Sequence, residues 1–134
     1  MQIDAPSSGA VRRSARAGLL DLVCILVFVG IGRSVHADGV TFAGMASTSW
    51  PFVTGAAAGW VVARSWRRPT AALPTALVAV VCCVALAMVL RVVSGQGTKA
   101  PFVAVALAFL TASMLGWRLV ESAARCLATC RRRA

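Results

Sequence analysis

The sequence predicts an all-α protein, an integral membrane bundle of four transmembrane helices. Of its 134 residues, 59% are hydrophobic and only 13% are charged, whereas soluble domains carry about 25% charged residues. The mean hydropathy of +0.80 and a succession of long apolar stretches between short polar segments point the same way. Because lipid offers the backbone no hydrogen bonds, each span is expected to be a helix.

The first span is predicted over residues 17–33, after a flexible cytoplasmic tail at 1–16. It is slightly shorter than the roughly 20 residues that cross a bilayer, and Asp21 interrupts it. A cleaved signal peptide is the alternative, because three arginines precede the apolar run and Val35-His36-Ala37 resembles a cleavage site. Asp21, and the charge of Arg33 just before that site, favour a retained helix.

The second span is predicted over residues 48–64. Thr48 or Ser49 is expected to cap its start, since a hydroxyl can accept from a free backbone N–H of the first turn. Pro51 then falls within that first turn, where a proline removes no internal hydrogen bond. Charged residues and a proline after the span end it.

Two further spans complete a transmembrane domain over residues 17–120. The third, 72–91, is rich in valine and alanine and ends at Arg91. The fourth, 100–118, follows a turn that contains two glycines. Residues 121–134 are predicted to be a basic cytoplasmic tail, in part a short interfacial helix, because arginines dominate their charge.

The basic residues predict the orientation. Eleven of them lie in the two tails and the central loop, against three in the other two loops. Cytoplasmic segments carry the excess of Lys and Arg, so both termini are expected in the cytoplasm, in a multi-pass protein of the plasma membrane. The expected partner of these cations is the anionic headgroups of the inner leaflet. Nucleic acid is not expected, because no basic face of a folded soluble module can be recognised.

Asp21 is the most unusual residue of the predicted bundle. A carboxylate inside the bilayer is costly unless it is paired, protonated or facing water. A structural ion pair is the favoured interpretation, with Arg64 or Arg118 as the partner at similar depth. The functional alternative is a carboxylate that responds to protons or cations.

A second polar cluster is predicted at the outer side. The two glycines beside Gln96 allow a turn that exposes backbone N–H groups, which could bind an anion together with Arg91. The favoured alternative is a solvated loop in which Arg91 extends to the headgroups. The candidate residues of this outer cluster are Arg33, His36, Asp38, Arg91 and Gln96.

Gly55 and Gly59 form a G-x-x-x-G strip, which lets another helix backbone approach closely. Packing within the bundle is the favoured interpretation, and homodimerisation through the strip is the alternative. The five cysteines form no disulfide framework and no zinc-ligand set. Neither a cofactor, a metal site nor an enzymatic activity is expected, since no catalytic constellation can be recognised.

Several short sequence motifs, spread over roughly residues 18–119, together resemble an uncharacterised bacterial and archaeal membrane family, domain of unknown function 3054. The resemblance implies a four-helix membrane protein and no established activity. It also includes Asp21, Arg33, His36, Arg91 and Gln96. The motifs are Leu20-Asp21-Leu22-Val23, Gly32-Arg33 with His36, Trp50-Pro51-Phe52 through Gly59-Trp60, Trp66-Arg67-Arg68-Pro69, Arg91 with Ser94-Gly95-Gln96-Gly97-Thr98, and Leu115-Gly116-Trp117-Arg118.

These observations favour a non-enzymatic membrane component, either an accessory subunit of a larger membrane partner or part of a homo-oligomer. The alternative is a small transporter coupled to protons or cations, with Asp21 as the coupling carboxylate. That alternative is an analogy with small multidrug exporters, which share the helix count and an acid in the first helix.

Overall fold

The computed structural model describes residues 8–35, 39–65, 67–68, 70 and 76–133. The predicted all-α class is confirmed, because these residues form four helices joined by turns and loops. Each helix packs against the next one along the chain, and the last closes the ring against the first. The helices are α1 (Ser8–Ser34), α2 (Phe42–Val62), α3 (Leu77–Val93) and α4 (Ala100–Arg133).

Helix α1 begins nine residues before the predicted first span. Residues 8–16, which we expected to be a flexible tail, are therefore helical, and their alanines and arginines are strong helix formers. Residues 1–7 of the predicted tail lie outside the described residues. At the other end, α4 continues through 121–133 in place of a separate tail.

The start of α2 differs from the prediction. Thr41 is the N-cap residue, and its hydroxyl accepts a hydrogen bond from the backbone N–H of Gly44 at 3.2 Å. The predicted cap at Thr48 or Ser49 is therefore wrong, because the helix already begins at Phe42.

Pro51 consequently lies inside α2 and not in its first turn. A proline inside a helix has no N–H to donate to the carbonyl four residues earlier, which here is that of Ser47. The side-chain amide of Gln96 donates to this carbonyl at 3.0 Å. A residue of the loop between α3 and α4 thus replaces the hydrogen bond that α2 lacks.

Helix α3 was predicted to begin at residue 72, but residues 71–75 lie outside the described residues. It ends at Val93, and the turn that follows contains Gly95 and Gly97 with φ of +73° and +71°. This left-handed backbone is readily adopted only by glycine, which explains the glycine spacing around Gln96.

The core lies between the helices and consists largely of aromatic and aliphatic side chains. Phe28 is at its centre, with its ring centroid 5.4 Å from that of Phe52 and 5.6 Å from that of Phe109. By length and composition, α1 and α4 can each cross a membrane, while α3 is a shorter apolar helix. Other buried members of the core are Ile25, Val80, Leu110 and Met114.

Candidate functional site

Asp21 forms a buried ion pair with Arg118, which joins α1 to α4. The Nη1 and Nη2 atoms of Arg118 donate to Oδ1 and Oδ2 of Asp21 at 2.8 Å and 2.7 Å. Asp21 is 2% exposed and Arg118 is 0% exposed. This two-pronged geometry matches the planar guanidinium to the carboxylate and is the strongest form of such a pair.

Two tryptophans complete the coordination of the same carboxylate. The indole N–H of Trp117 donates to Oδ1 of Asp21 at 2.9 Å, and that of Trp60 donates to Oδ2 at 2.8 Å. Each carboxylate oxygen therefore accepts two hydrogen bonds. Arg118 also donates to the carbonyl of Met114 at 2.8 Å. We call Asp21, Trp60, Trp117 and Arg118 the Asp21 clasp.

The Asp21 clasp connects three of the four helices, because Trp60 belongs to α2. The Arg118 guanidinium carbon also lies 4.3 Å from the centroid of the Trp117 ring, a cation–π distance. A buried charge is tolerated when it is paired and its remaining hydrogen-bonding capacity is filled. Asp21 meets both conditions, because it is paired with Arg118 and each of its oxygens accepts two hydrogen bonds.

Of the two partners considered for Asp21 from the sequence, the structure brings Arg118 to it. Arg64 instead is exposed, just beyond the end of α2, and has a φ of +48°. The sequence analysis did not identify Trp60 and Trp117 as donors. The signal in the sequence was the predicted topology, which puts Trp60 and Trp117 near the inner boundary, at about the depth of Asp21 and Arg118.

The Gly55–Gly59 strip lies against the backbone of α3. A Cβ at Gly59 would be 2.6 Å from the carbonyl oxygen of Ala79, and one at Gly55 would overlap the carbonyl of Cys83. The Cys83 thiol in turn donates to the carbonyl of Phe52 at 3.2 Å. A homodimer through this strip would therefore have to displace α3 of the same chain.

The outer cluster is described in part, because His36 and Asp38 lie outside the described residues. Nη1 of Arg91 donates to Oε1 of Gln96 at 2.9 Å, so Gln96 links this cation to the carbonyl freed by Pro51. Arg33 makes separate contacts. Its Nε donates to the carbonyl of Gly39 at 3.1 Å, and its Nη1 donates to the Thr48 hydroxyl at 3.3 Å.

A cavity of about 490 Å³ lies between the ends of the helices at this side of the bundle. Arg33, Arg91 and Lys99 line it, and none of its described lining residues is acidic. Its apolar wall includes Phe102, whose ring centroid is 4.7 Å from the guanidinium carbon of Arg91. We call this space the outer cavity.

Within the described part of the chain, no three His, Cys, Asp or Glu side chains converge so that they could hold a metal ion. The family described as "Protein of unknown function (DUF3054)" matches residues 18–121, which confirms the resemblance that the sequence suggested. Neither a curated protein nor a solved structure matches the chain. The matched range includes every residue of the Asp21 clasp and of the outer cavity.

Proposed function

The chain belongs to this DUF3054 family of unknown function, and from that premise we propose that it is a small multi-pass protein of the plasma membrane. It crosses the bilayer four times, has both termini in the cytoplasm, and acts as a non-enzymatic component of a membrane assembly. The observation that carries the proposal is the distribution of polarity, with charge inside the bundle and large apolar side chains on its exterior.

The charged residues Asp21 and Arg118 are buried in the bundle. On each helix, by contrast, at least one valine is exposed by between 38% and 59% of its surface. Single exposed apolar side chains are common in soluble proteins, but an apolar exterior on all four helices marks contact with a membrane or another protein. The four valines, one from each helix in order, are Val27, Val53, Val81 and Val105.

The helix lengths are compatible with four crossings. At about 1.5 Å per residue, the 21 residues of α2 extend over about 31 Å, close to the hydrocarbon thickness of about 30 Å. The 17 residues of α3 extend over about 25 Å. Four crossings put both ends on one side, and the excess of arginine there supports a cytoplasmic location for that side.

The proposal treats α1 as a retained helix and not as a cleaved signal peptide. Ile25 and Phe28 of α1 are buried in the core, and Asp21 anchors the helix to α4. Removal of α1 would leave Arg118 without its carboxylate partner.

The topology can be tested with the two exposed thiols of α4, Cys126 and Cys130. A membrane-impermeant maleimide should not label them in intact cells and should label them after permeabilisation. As the matched control, Val40→Cys is placed in a variant that lacks both thiols. Val40 is 60% exposed in the loop after α1, and its cysteine should be labelled in intact cells. Equal labelling of both sites from outside would refute the topology.

The assembly can be tested by purification in a mild neutral detergent, followed by light scattering that separates protein mass from detergent mass. We expect either a homo-oligomer or a stoichiometric complex with a larger membrane protein. A monomer of 13.9 kDa that co-purifies with nothing at native expression levels would refute this part of the proposal.

A further inference from the structure

We propose that the outer cavity binds an anionic amphiphile: its phosphate headgroup lies among Arg33, Arg91 and Lys99, and its hydrocarbon part lies along the apolar wall. The sequence left open whether an anion binds beside Gln96 and Arg91, and the proposal places an amphiphile in the cavity that Arg91 lines. The inference rests on the membrane location proposed above, since a bilayer supplies such molecules.

The first observation is the charge of the cavity. Three cationic side chains, from α1, from α3 and from the residue before α4, line one space, and the described lining residues include no carboxylate. A space lined by several cations and by no described carboxylate favours an anionic ligand. The planar guanidinium of arginine binds carboxylate and phosphate, and lysine binds phosphate as a point charge, so a phosphate group suits this combination of side chains.

The second observation is an unused donor. The Nε of Arg91 is buried, and no acceptor for it is found among the described residues. Its Nη1 is held by Gln96, and its guanidinium lies over the Phe102 ring. The side chain is thus fixed in place at the wall of the cavity, so a ligand that binds its guanidinium does not have to order it.

The third observation is the amphiphilic lining and the size. Phe28, Val29 and Phe102 form apolar wall opposite the cations, and the Thr48 hydroxyl adds a polar group beside them. The volume of about 490 Å³ falls within the range of about 300–1,000 Å³ that is typical of pockets for small organic ligands. It has room for more than a phosphate group, so a free inorganic anion would leave the apolar part unfilled.

The position also fits a lipid. Arg33 and Arg91 lie in the last turns of α1 and α3, and Lys99 directly precedes α4. All three cations are therefore at one end of the bundle. In a four-span topology this end is at the level of the headgroups, where a lipid can enter from the side with its chain still in the bilayer.

The experiment measures lipid binding by native mass spectrometry of the full chain released from maltoside micelles. The probes are phosphatidylglycerol, zwitterionic phosphatidylcholine and inorganic phosphate. We expect phosphatidylglycerol to bind in a 1:1 complex at least about tenfold more tightly than phosphatidylcholine, a factor that corresponds to about 1.4 kcal/mol. Binding in micelles does not depend on topology, so this proposal and the one above can fail separately.

Two variants test the two halves of the cavity. Lys99→Glu reverses a charge and should weaken phosphatidylglycerol binding at least about tenfold. Gly32→Leu adds bulk where a Cβ meets nothing within 4 Å in the lining of the cavity, and it should weaken lipid binding while phosphate binding is unchanged.

Each variant has a matched control. Arg68→Glu reverses an exposed charge in the loop between α2 and α3, and Gly116→Leu adds the same bulk at another open helical position. Both should bind phosphatidylglycerol as the unmodified protein does. If Arg68→Glu weakens binding as much as Lys99→Glu, the effect is general surface charge and the site is refuted. If phosphate binds as tightly as the lipid and Gly32→Leu has no effect, the amphiphile assignment is refuted.

Discussion

Removal of the charge of Asp21 should destabilise the bundle more than any other single carboxylate substitution in its described part. Asp21→Asn keeps the shape of the side chain, but it removes the negative charge opposite the Arg118 guanidinium, which is 0% exposed. Loss of one partner of a buried ion pair typically costs about 3–5 kcal/mol. The two charge-assisted bonds of this pair, at about 1.5–3 kcal/mol each, sum to about 3–6 kcal/mol, a range that overlaps the first estimate.

The measurement is reversible unfolding in mixed micelles of neutral detergent and dodecyl sulfate. Tryptophan fluorescence reports it directly, because Trp60 and Trp117 both donate to Asp21. Arg118→Met is the partner variant, and the double variant Asp21→Asn/Arg118→Met removes the buried guanidinium as well as the carboxylate. We expect the double variant to cost about 2–3 kcal/mol less than the sum of the two single variants, near the upper end for residues in contact.

Glu121→Gln is the matched control on α4. Its pair with Arg125 has an N–O distance of 3.6 Å, and both side chains are partly exposed. Such pairs contribute about 0–1 kcal/mol, so this substitution should change stability by less than about 1 kcal/mol. If Asp21→Asn costs no more than Glu121→Gln, or if the effects of Asp21→Asn and Arg118→Met simply add, the clasp does not hold α1 to α4.

Three other substitutions test the remaining contacts by the same unfolding measurement. Gly55→Ala should destabilise the bundle by at least about 1 kcal/mol, because its Cβ meets the α3 backbone. Gly116→Ala, where the added Cβ meets nothing within 4 Å, should leave stability unchanged or raise it by up to about 1 kcal/mol. Equal effects of the two substitutions would refute the close approach of α2 to α3. Gln96→Leu should cost about 1–3 kcal/mol but less in a Pro51→Ala background, which restores the backbone donor; an equal cost in both backgrounds would contradict the replacement. Trp60→Phe should cost about 1.5–3 kcal/mol through its lost bond to a charged acceptor, and no change would show that this indole is dispensable.

The number and approximate location of the helices could be predicted because long apolar runs dictate them. The start of α2 could not. Thr48, Ser49 and Pro51 together give a strong local signal for a helix start. In the sequence this signal is stronger than that of Thr41, the residue that caps the helix in the structure. The chain tolerates Pro51 inside the helix because Gln96, distant in sequence, donates to the carbonyl that the proline leaves free. No local pattern contains that compensation.

The candidate site shows the same division between local and tertiary information. Asp21 is conspicuous in the sequence because a charge in an apolar run needs a partner. The partner of Asp21 must lie at the same depth in the membrane, and several residues meet that condition. The rotation of each helix about its axis decides which of these residues faces Asp21. That rotation depends on packing, including the close approach of α2 and α3 at Gly55 and Gly59. The indole donors of Trp60 and Trp117 could not be assigned for the same reason.

The geometry of Asp21 also bears on the transport alternative. A coupling carboxylate must gain and lose a proton in each cycle, and its oxygens must then exchange partners with water or substrate. Both oxygens of Asp21 already accept two hydrogen bonds each, and two of the four come from a buried cation. An exchange of these partners for water or substrate would break four hydrogen bonds, two of them to the buried Arg118 guanidinium. A transport cycle through Asp21 would therefore require α1 to separate from α4 in every turnover, whereas a structural clasp requires only that they stay together.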